Sequence, residues 1–183
     1  SRGPEGRTPL LYALKFRKFT IAMTLIYYGA DPNGSNDSGE TPLHYLSKVK
    51  LKNRERRVLA LKLLARGADV NSRGPMRETP LLCAMRYYQL DFAGILLQNG
   101  ADPNALDDLN ESPLYYAIHS SNPTEDQEDI VKLLIERKAD VNLEGPNGNT
   151  PLLSALKYNK LNIAEILLQN GADPNAAIVS RKN

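Results

Sequence analysis

The stretch ILLQNGADPNA, Ile95–Ala105, returns letter for letter at Ile166–Ala176, 71 residues later. The same offset holds around it: Gly3-Pro4 reappears as Gly74-Pro75 and Gly145-Pro146, and TPLL at Thr8 reappears at Thr79 and Thr150. Self-similarity at a fixed period means that one supersecondary unit is stacked on copies of itself, since a single such unit cannot bury its own apolar face. A finer repeat lies inside the 71-residue one. TPLLYA at Thr8, TPLHYL at Thr41, TPLLCA at Thr79, SPLYYA at Ser112 and TPLLSA at Thr150 are spaced 33, 38, 33 and 38 residues apart. Each copy closes on a second marker: GADPN at Gly29, GADVN at Gly67, GADPN at Gly100, KADVN at Lys138 and GADPN at Gly171. Five copies therefore alternate short and long, with bounds near 1–33, 34–71, 72–104, 105–142 and 143–175 and a tail over 176–183.

The markers have physical jobs. Thr or Ser before Pro starts a helix, because the hydroxyl caps free N–H groups while Pro occupies the first helical position, where no donor is needed. The Gly of GAD follows an apolar run such as Ile166-Leu167-Leu168, where a helix ends in a left-handed residue. Short copies break near Arg17, Tyr88 and Asn159, and Phe19, Ile21, Ala22, Leu25 and Ile26 share a face of the second helix. The unit is helix, tight turn, helix. Seven residues rich in Gly, Pro, Asn and Asp then lead to the next TPL (GSNDSGE, SRGPMRE, ALDDLNE and LEGPNGN), which predicts a projecting hairpin-like loop.

With these markers at this spacing, the chain resembles the ankyrin repeat family over residues 1 to 176. The resemblance implies an all-α solenoid of paired antiparallel helices in a single domain, with loops projecting to give an L-shaped section and a concave surface lined by first helices and loops. It also implies that His44, at the TPLH position, hydrogen-bonds within and between repeats; Leu11, Leu82, Tyr115 and Leu153 stand there in the other copies. Loop asparagines are hydroxylation targets in the family, which would map to Asn71 and Asn142, although a role in the turn accounts for them. Alternating long and short copies with tyrosine-rich starts are similar to ankyrin proteins of large DNA viruses. Both ends keep an internal-type pattern rather than a polar cap, so further repeats or another domain are expected in the full protein.

Composition sets further bounds. At 42% hydrophobic and 24% charged, 183 residues can bury a substantial core. No apolar run approaches the roughly 20 residues that span a bilayer, and no signal segment opens the chain. The single Cys83 rules out a disulfide framework within the chain and reads as a packed thiol, which fits an intracellular setting, cytoplasmic or nuclear. Only His44 and His119 are available for acid–base chemistry. The recurrent acids Asp31, Asp69, Asp102, Asp140 and Asp173 come once per repeat, which assigns them to a turn. No catalytic residue, cofactor, metal or small-molecule substrate is expected.

Function then lies in positions the scaffold leaves open. At the ends of the short copies' first helices stand Lys15-Phe16, Arg86-Tyr87 and Lys157-Tyr158, a cation followed by an aromatic each time. Such side chains are frequent binding anchors; the alternative is that they cover helix ends with packed stems and solvated charges. The loop tips Arg77, Asp107, Asp108 and Asn147 join them as candidates. The long copies place five extra residues between their helices, and the two insertions differ in sign. Copy two carries Lys48, Lys50, Lys52, Arg54, Arg56 and Arg57 against Glu55; copy four carries Glu125, Asp126, Glu128 and Asp129. Residues 1–91 hold 16 Lys and Arg against 8 Asp and Glu, and residues 92–183 hold 7 against 13. That asymmetry either steers an elongated partner or records solvated extensions that drifted apart. Acidic loops interrupt the basic run, which argues against nucleic acid. The expected protein is a monomeric interaction module that binds another protein through the groove and loop tips. A repeat array serving only as a spacer between flanking domains is the alternative.

Overall fold

A computed structural model describes residues 4–120 and 125–176. Each first helix starts at its TPL or SPL marker and each second helix ends before its GAD or KAD marker, with short 3-10 turns at Pro4–Gly6, Pro75–Arg77 and Pro146–Gly148 in the loops. Thr8, Thr79, Ser112 and Thr150 accept N–H bonds from Leu11, Leu82, Tyr115 and Leu153 at 3.0–3.3 Å, with Pro at the first helical position each time. These caps open α1 (Pro9–Lys15), α5 (Pro80–Arg86), α7 (Pro113–His119) and α9 (Pro151–Lys157), while Thr41 opens α3 (Pro42–Lys48) in a capping box closed by His44. The second helices are α2 (Phe19–Tyr27), α4 (Asn53–Ala65), α6 (Leu90–Gln98), α8 (Glu125–Glu136) and α10 (Leu161–Gln169). The turns between short-copy helices fall where the sequence breaks, with Arg17, Tyr88 and Asn159 all left-handed at φ 53–55°.

Second helices end as GAD requires. Gly29, Gly67, Gly100 and Gly171 take φ of 83–89°, and the following Ala N–H reaches back to close the helix, as in Ala30 to Leu25 O at 2.9 Å. Copy four has Lys138 there, at φ 73°. A side chain in that conformation costs about 1–2 kcal/mol where Gly costs little. Lys138→Gly is therefore expected to raise stability by about 1 kcal/mol, read from the midpoint of urea unfolding at unchanged slope.

The acids of GADxN make turns, as read: Asp31, Asp69, Asp102, Asp140 and Asp173 each accept the N–H of the Asn two residues on, at 2.8–2.9 Å. The Asn side chains then tie one repeat to the next. Asn33 donates to Gly67 O and accepts from Asp69 N–H, Asn71 donates to Gly100 O, and Asn104 and Asn142 repeat the pattern at Lys138–Asp140 and Gly171–Asp173.

The chain divides between Ala101 and Asp102 into two compact units. In the first, α1, α3 and α5 pack side by side, and α2, α4 and α6 pack in a parallel layer against them. Leu43, Leu46, Leu59, Leu63, Leu81 and Phe92 are fully buried between the layers. In the second unit α7 packs on α9 and α8 on α10 around Leu114, Ile118, Val131, Leu134, Leu152 and Leu167. The loops are closed hairpins, with Asn36, Gly74, Asp107 and Gly145 each donating N–H to the carbonyl four residues on. Among the described residues there is no strand.

The long-copy insertion differs from expectation. Lys48 ends α3, Asn53 begins α4, and α4 has 13 residues against 9 in α2. Most of the insertion is thus an added N-terminal turn of the second helix, because Arg54, Glu55 and Arg56 are good helix formers that extend it from Asn53. Arg56 is not part of a solvated basic run. It is 3% exposed and donates Nε–H to Leu46 O at 3.0 Å, a carbonyl left open at the end of α3, and Nη2–H to Val49 O at 2.9 Å, which also accepts the Leu51 N–H. Gln127, at the same register of copy four, is buried and donates to Ala117 O.

Candidate partner-binding site

In the short copies the first helix presents its C-terminal end to solvent. In α1, Leu10, Leu11 and Leu14 are buried, Lys15 is the last helical residue, and Phe16 caps the end with 48% of its surface exposed. The Phe16 ring packs 4.6 Å from Tyr12, and Lys15 Nζ lies 5.9 Å from its centroid. The end of α9 is built alike: Tyr158 is 46% exposed, with Lys157 Nζ 5.7 Å from its ring. These are cation–π contacts at the outer limit of useful range.

The middle pair departs. Tyr87 is 46% exposed like its counterparts, but Arg86 turns to Glu78, Nε to Oε1 at 3.0 Å. Among the short copies only repeat 3 has an acid before its TPL, with Arg7 and Asn149 at the equivalent positions of the other two; the long copies carry Glu40 and Glu111 there. Glu78 also accepts from Cys83 Sγ at 3.3 Å. Burial pushes that thiol well above the ordinary range, so Cys83 is a packed core residue.

The other candidates separate into exposed and occupied groups. Lys50, Lys52 and Arg54 are exposed, as is Asp108. Lys48 is held by Glu40 at 2.7 Å; burial opposes its charge, but the Glu40 contact outweighs burial and raises its pKa. Asp107 is not a free loop tip. It is 1% exposed, accepting the N–H groups of Leu109 and Glu111 and the Tyr116 hydroxyl, each at 2.9 Å, and so holds its own loop together. Asn36, at the same register of copy two, closes its loop in the same way. Arg77 is exposed and left-handed beside Met76, both at φ 54°, where the matching positions of copies one and five carry Gly6 and Gly148. The Asn147 side chain lies outside the described residues.

One grouping was not anticipated. His119 stacks on Tyr115 at 3.7 Å and meets Tyr158 edge-on at 4.8 Å, joining the ends of α7 and α9 in one aromatic cluster. Burial lowers the His119 pKa, which keeps the stacked ring neutral near pH 7. The sequence signal was available: His119 occupies the register of Lys48, so one long copy carries a flat ring where the other carries an ion-paired amine.

Among the described residues no group of His, Cys, Asp and Glu could hold a metal, and no helix is long and apolar enough to cross a membrane. Ankyrin repeat models match residues 10–48, 49–144 and 124–178, and the chain belongs to the ankyrin repeat family. It is 34% identical over 98 residues to the human transient receptor potential cation channel subfamily A member 1, covering 53% of this chain and 8% of the channel. Two ankyrin repeat proteins of fowlpox virus match at 31% over 161 residues, 88% of this chain and 26% of the relative, and at 32% over 149 residues, 81% and 97%. The chain thus spans about a quarter or less of the first two relatives. A solved ankyrin repeat domain from Acinetobacter baumannii superposes with a TM-score of 0.85 at 27% identity, covering 94% of this chain and 86% of that one. Ankyrin repeats are generally protein–protein interaction modules, and the family is typically non-catalytic.

Proposed function

We propose that this chain is a monomeric, intracellular interaction module that holds another protein through the ends of its first helices and the loops beside them. The observation that carries the reading is the near-equal exposure of three aromatics at one repeat register: Phe16 48%, Tyr87 46% and Tyr158 46%. A large ring half out of the core stabilises the fold little, yet forms a rigid anchor that loses little entropy on binding. Arg77 supports the same reading, since a left-handed Arg where sister copies have Gly carries backbone strain that a partner contact would offset. The fowlpox relatives favour the large-DNA-virus type of ankyrin protein.

The test is affinity capture with the full chain, with Arg86→Ala/Tyr87→Ala, and with Lys138→Gly as a control away from these helix ends. Loss of a captured protein in the double variant alone, at unchanged helical content, is the expected result. Retention of that protein removes the assignment and leaves the spacer reading.

A further inference from the structure

Comparison at the 71-residue offset isolates a second surface, on the outer side of the first unit where α2 packs on α4. Tyr27 and Tyr28 end α2 with 74% and 80% of their surfaces exposed, their rings edge to face at 5.2 Å. The other short copies have Gln98-Asn99 and Gln169-Asn170 there. Those residues are exposed too, even though α6 is flanked by α4, so the exposure belongs to the position rather than to an uncovered neighbour. Ile21, at 54%, is the opposite case, because its counterparts Phe92 and Ile163 are buried.

The tyrosines forgo a stabilising contact. Asn99 and Asn170 donate Nδ2–H to the carbonyls of Ile95 and Ile166 at 2.7 Å, a C-terminal cap that Tyr28 has no amide to make. A local rule broken without a gain in burial marks a position kept for another purpose.

Beside the pair runs the solvent stripe of α4, with Arg54, Arg57, Leu61 and Ala65 on successive turns and Lys52 and Lys62 flanking. Arg66 Nη1 donates to Ile26 O at 2.5 Å, bringing the end of α4 against Tyr27. The one acid on α4, Glu55, is half-buried, Asp31 and Asp69 accept backbone N–H groups of their own turns, and Asp91 on α6, which also packs on α4, accepts from Asn53 Nδ2 at 2.5 Å. The fold does not require these cations, since α8 carries Glu128, Lys132 and Glu136 in the register of Arg57, Leu61 and Ala65. The surface is therefore cationic along one helix and aromatic at the end of the next. Charge complementarity calls for an acidic ligand, and the exposed rings call for flat side chains to stack on them. Leu61 and Ala65 interrupt the cations between Arg57 and Arg66 and lead to the tyrosines, so the basic residues do not form one continuous stripe, which suits a polypeptide better than a phosphate backbone.

We infer that the α2–α4 face binds an acidic polypeptide segment bearing aromatic side chains. The inference rests on the reading of the chain as a protein-binding module but uses none of the same residues. The full chain is titrated with a fluorescently labelled, glutamate-rich copolymer of glutamate and tyrosine, and in parallel with polyglutamate, a thymidine oligonucleotide and phosphatidylserine vesicles. The copolymer is expected to bind most tightly and to weaken as salt rises. Tyr27→Gln/Tyr28→Asn, which restores the sequence of the other short copies, should remove its advantage over polyglutamate. Arg54→Glu/Arg57→Glu should weaken both polymers by about tenfold or more, and Arg86→Ala/Tyr87→Ala should change neither. Thermal unfolding checks that each variant folds. Absence of copolymer binding, indifference to either α2–α4 variant, tighter binding of oligonucleotide or vesicles, or a dimer that the same variants dissolve would each overturn the inference. Any of these leaves the first-helix assignment to its own variant.

Discussion

Replacing His44 by Leu, the residue at the same register of repeats 1, 3 and 5, is expected to lower the unfolding free energy by about 2–4 kcal/mol. The imidazole is fully buried and bonds in two directions. Glu78 O, 3.0 Å from Nε2, can only accept, so Nε2 carries the hydrogen; Nδ1 then accepts from the Thr41 N–H at 3.2 Å and the Thr41 hydroxyl at 2.9 Å. Leucine leaves the buried Thr41 N–H without this acceptor, at about 1–3 kcal/mol, and breaks the bond to Glu78, at about 1 kcal/mol. Gly74 packs directly on the same ring, since a Cβ added there would lie 2.8 Å from Nε2. Protonation attacks the same network, because a hydrogen on Nδ1 would face the Thr41 N–H. Burial holds the His44 pKa below its ordinary value of 6.5. Between the two values the unfolded chain binds a proton that the folded chain does not, so stability falls as pH drops below about 6.5 and levels off beneath the folded value. His119, also lowered by burial, adds to the slope in the same direction. Urea unfolding across this range should therefore show a shallower acid loss in His44→Leu than in the parent.

Arg56→Met is expected to cost about 3 kcal/mol, more than any other substitution in the basic run. Methionine fills the space of the stem but leaves Leu46 O buried without its side-chain donor and takes one of two donors from Val49 O, which keeps the Leu51 N–H at 3.0 Å. Arg56→Gln, the residue that copy four uses to reach Ala117 O, should recover about half of the loss by restoring the bond to Leu46. Arg54→Met, one turn face away and exposed, should change stability by under about 0.5 kcal/mol. Equal effects at Arg54 and Arg56 in urea unfolding would contradict the assignment.

The starts of the first helices, the ends of the second and the short-copy turns were legible because each is fixed by a residue type with a single local job: hydroxyl and Pro at TPL, Gly at GAD, a break at Arg17, Tyr88 and Asn159. The start of α4 was not, since Lys52 caps it with no side-chain bond. Side-chain roles decided by long-range packing were not. Arg56 reads as one charge among six because nothing local shows that the end of α3 needs a donor from the next helix. Asp107 reads as a loop tip, although its register match to Asn36 carried the information that it closes the loop. The cation–aromatic pairs were visible as a pattern, but the diversion of Arg86 required seeing that Glu78 is buried beside it. His119 and Tyr158 are 39 residues apart in sequence, and only the packing of α7 on α9 joins them.

The central claim is that the exposed aromatics at the first-helix ends hold a partner. Hydrogen exchange by mass spectrometry on the full chain, alone and bound to the protein it captures, tests it most directly. Slowed exchange is expected at the ends of α1, α5 and α9, around Phe16, Tyr87 and Tyr158, and in the loop at Arg77. Protection confined to other segments, with those helix ends exchanging as in the free chain, would contradict it.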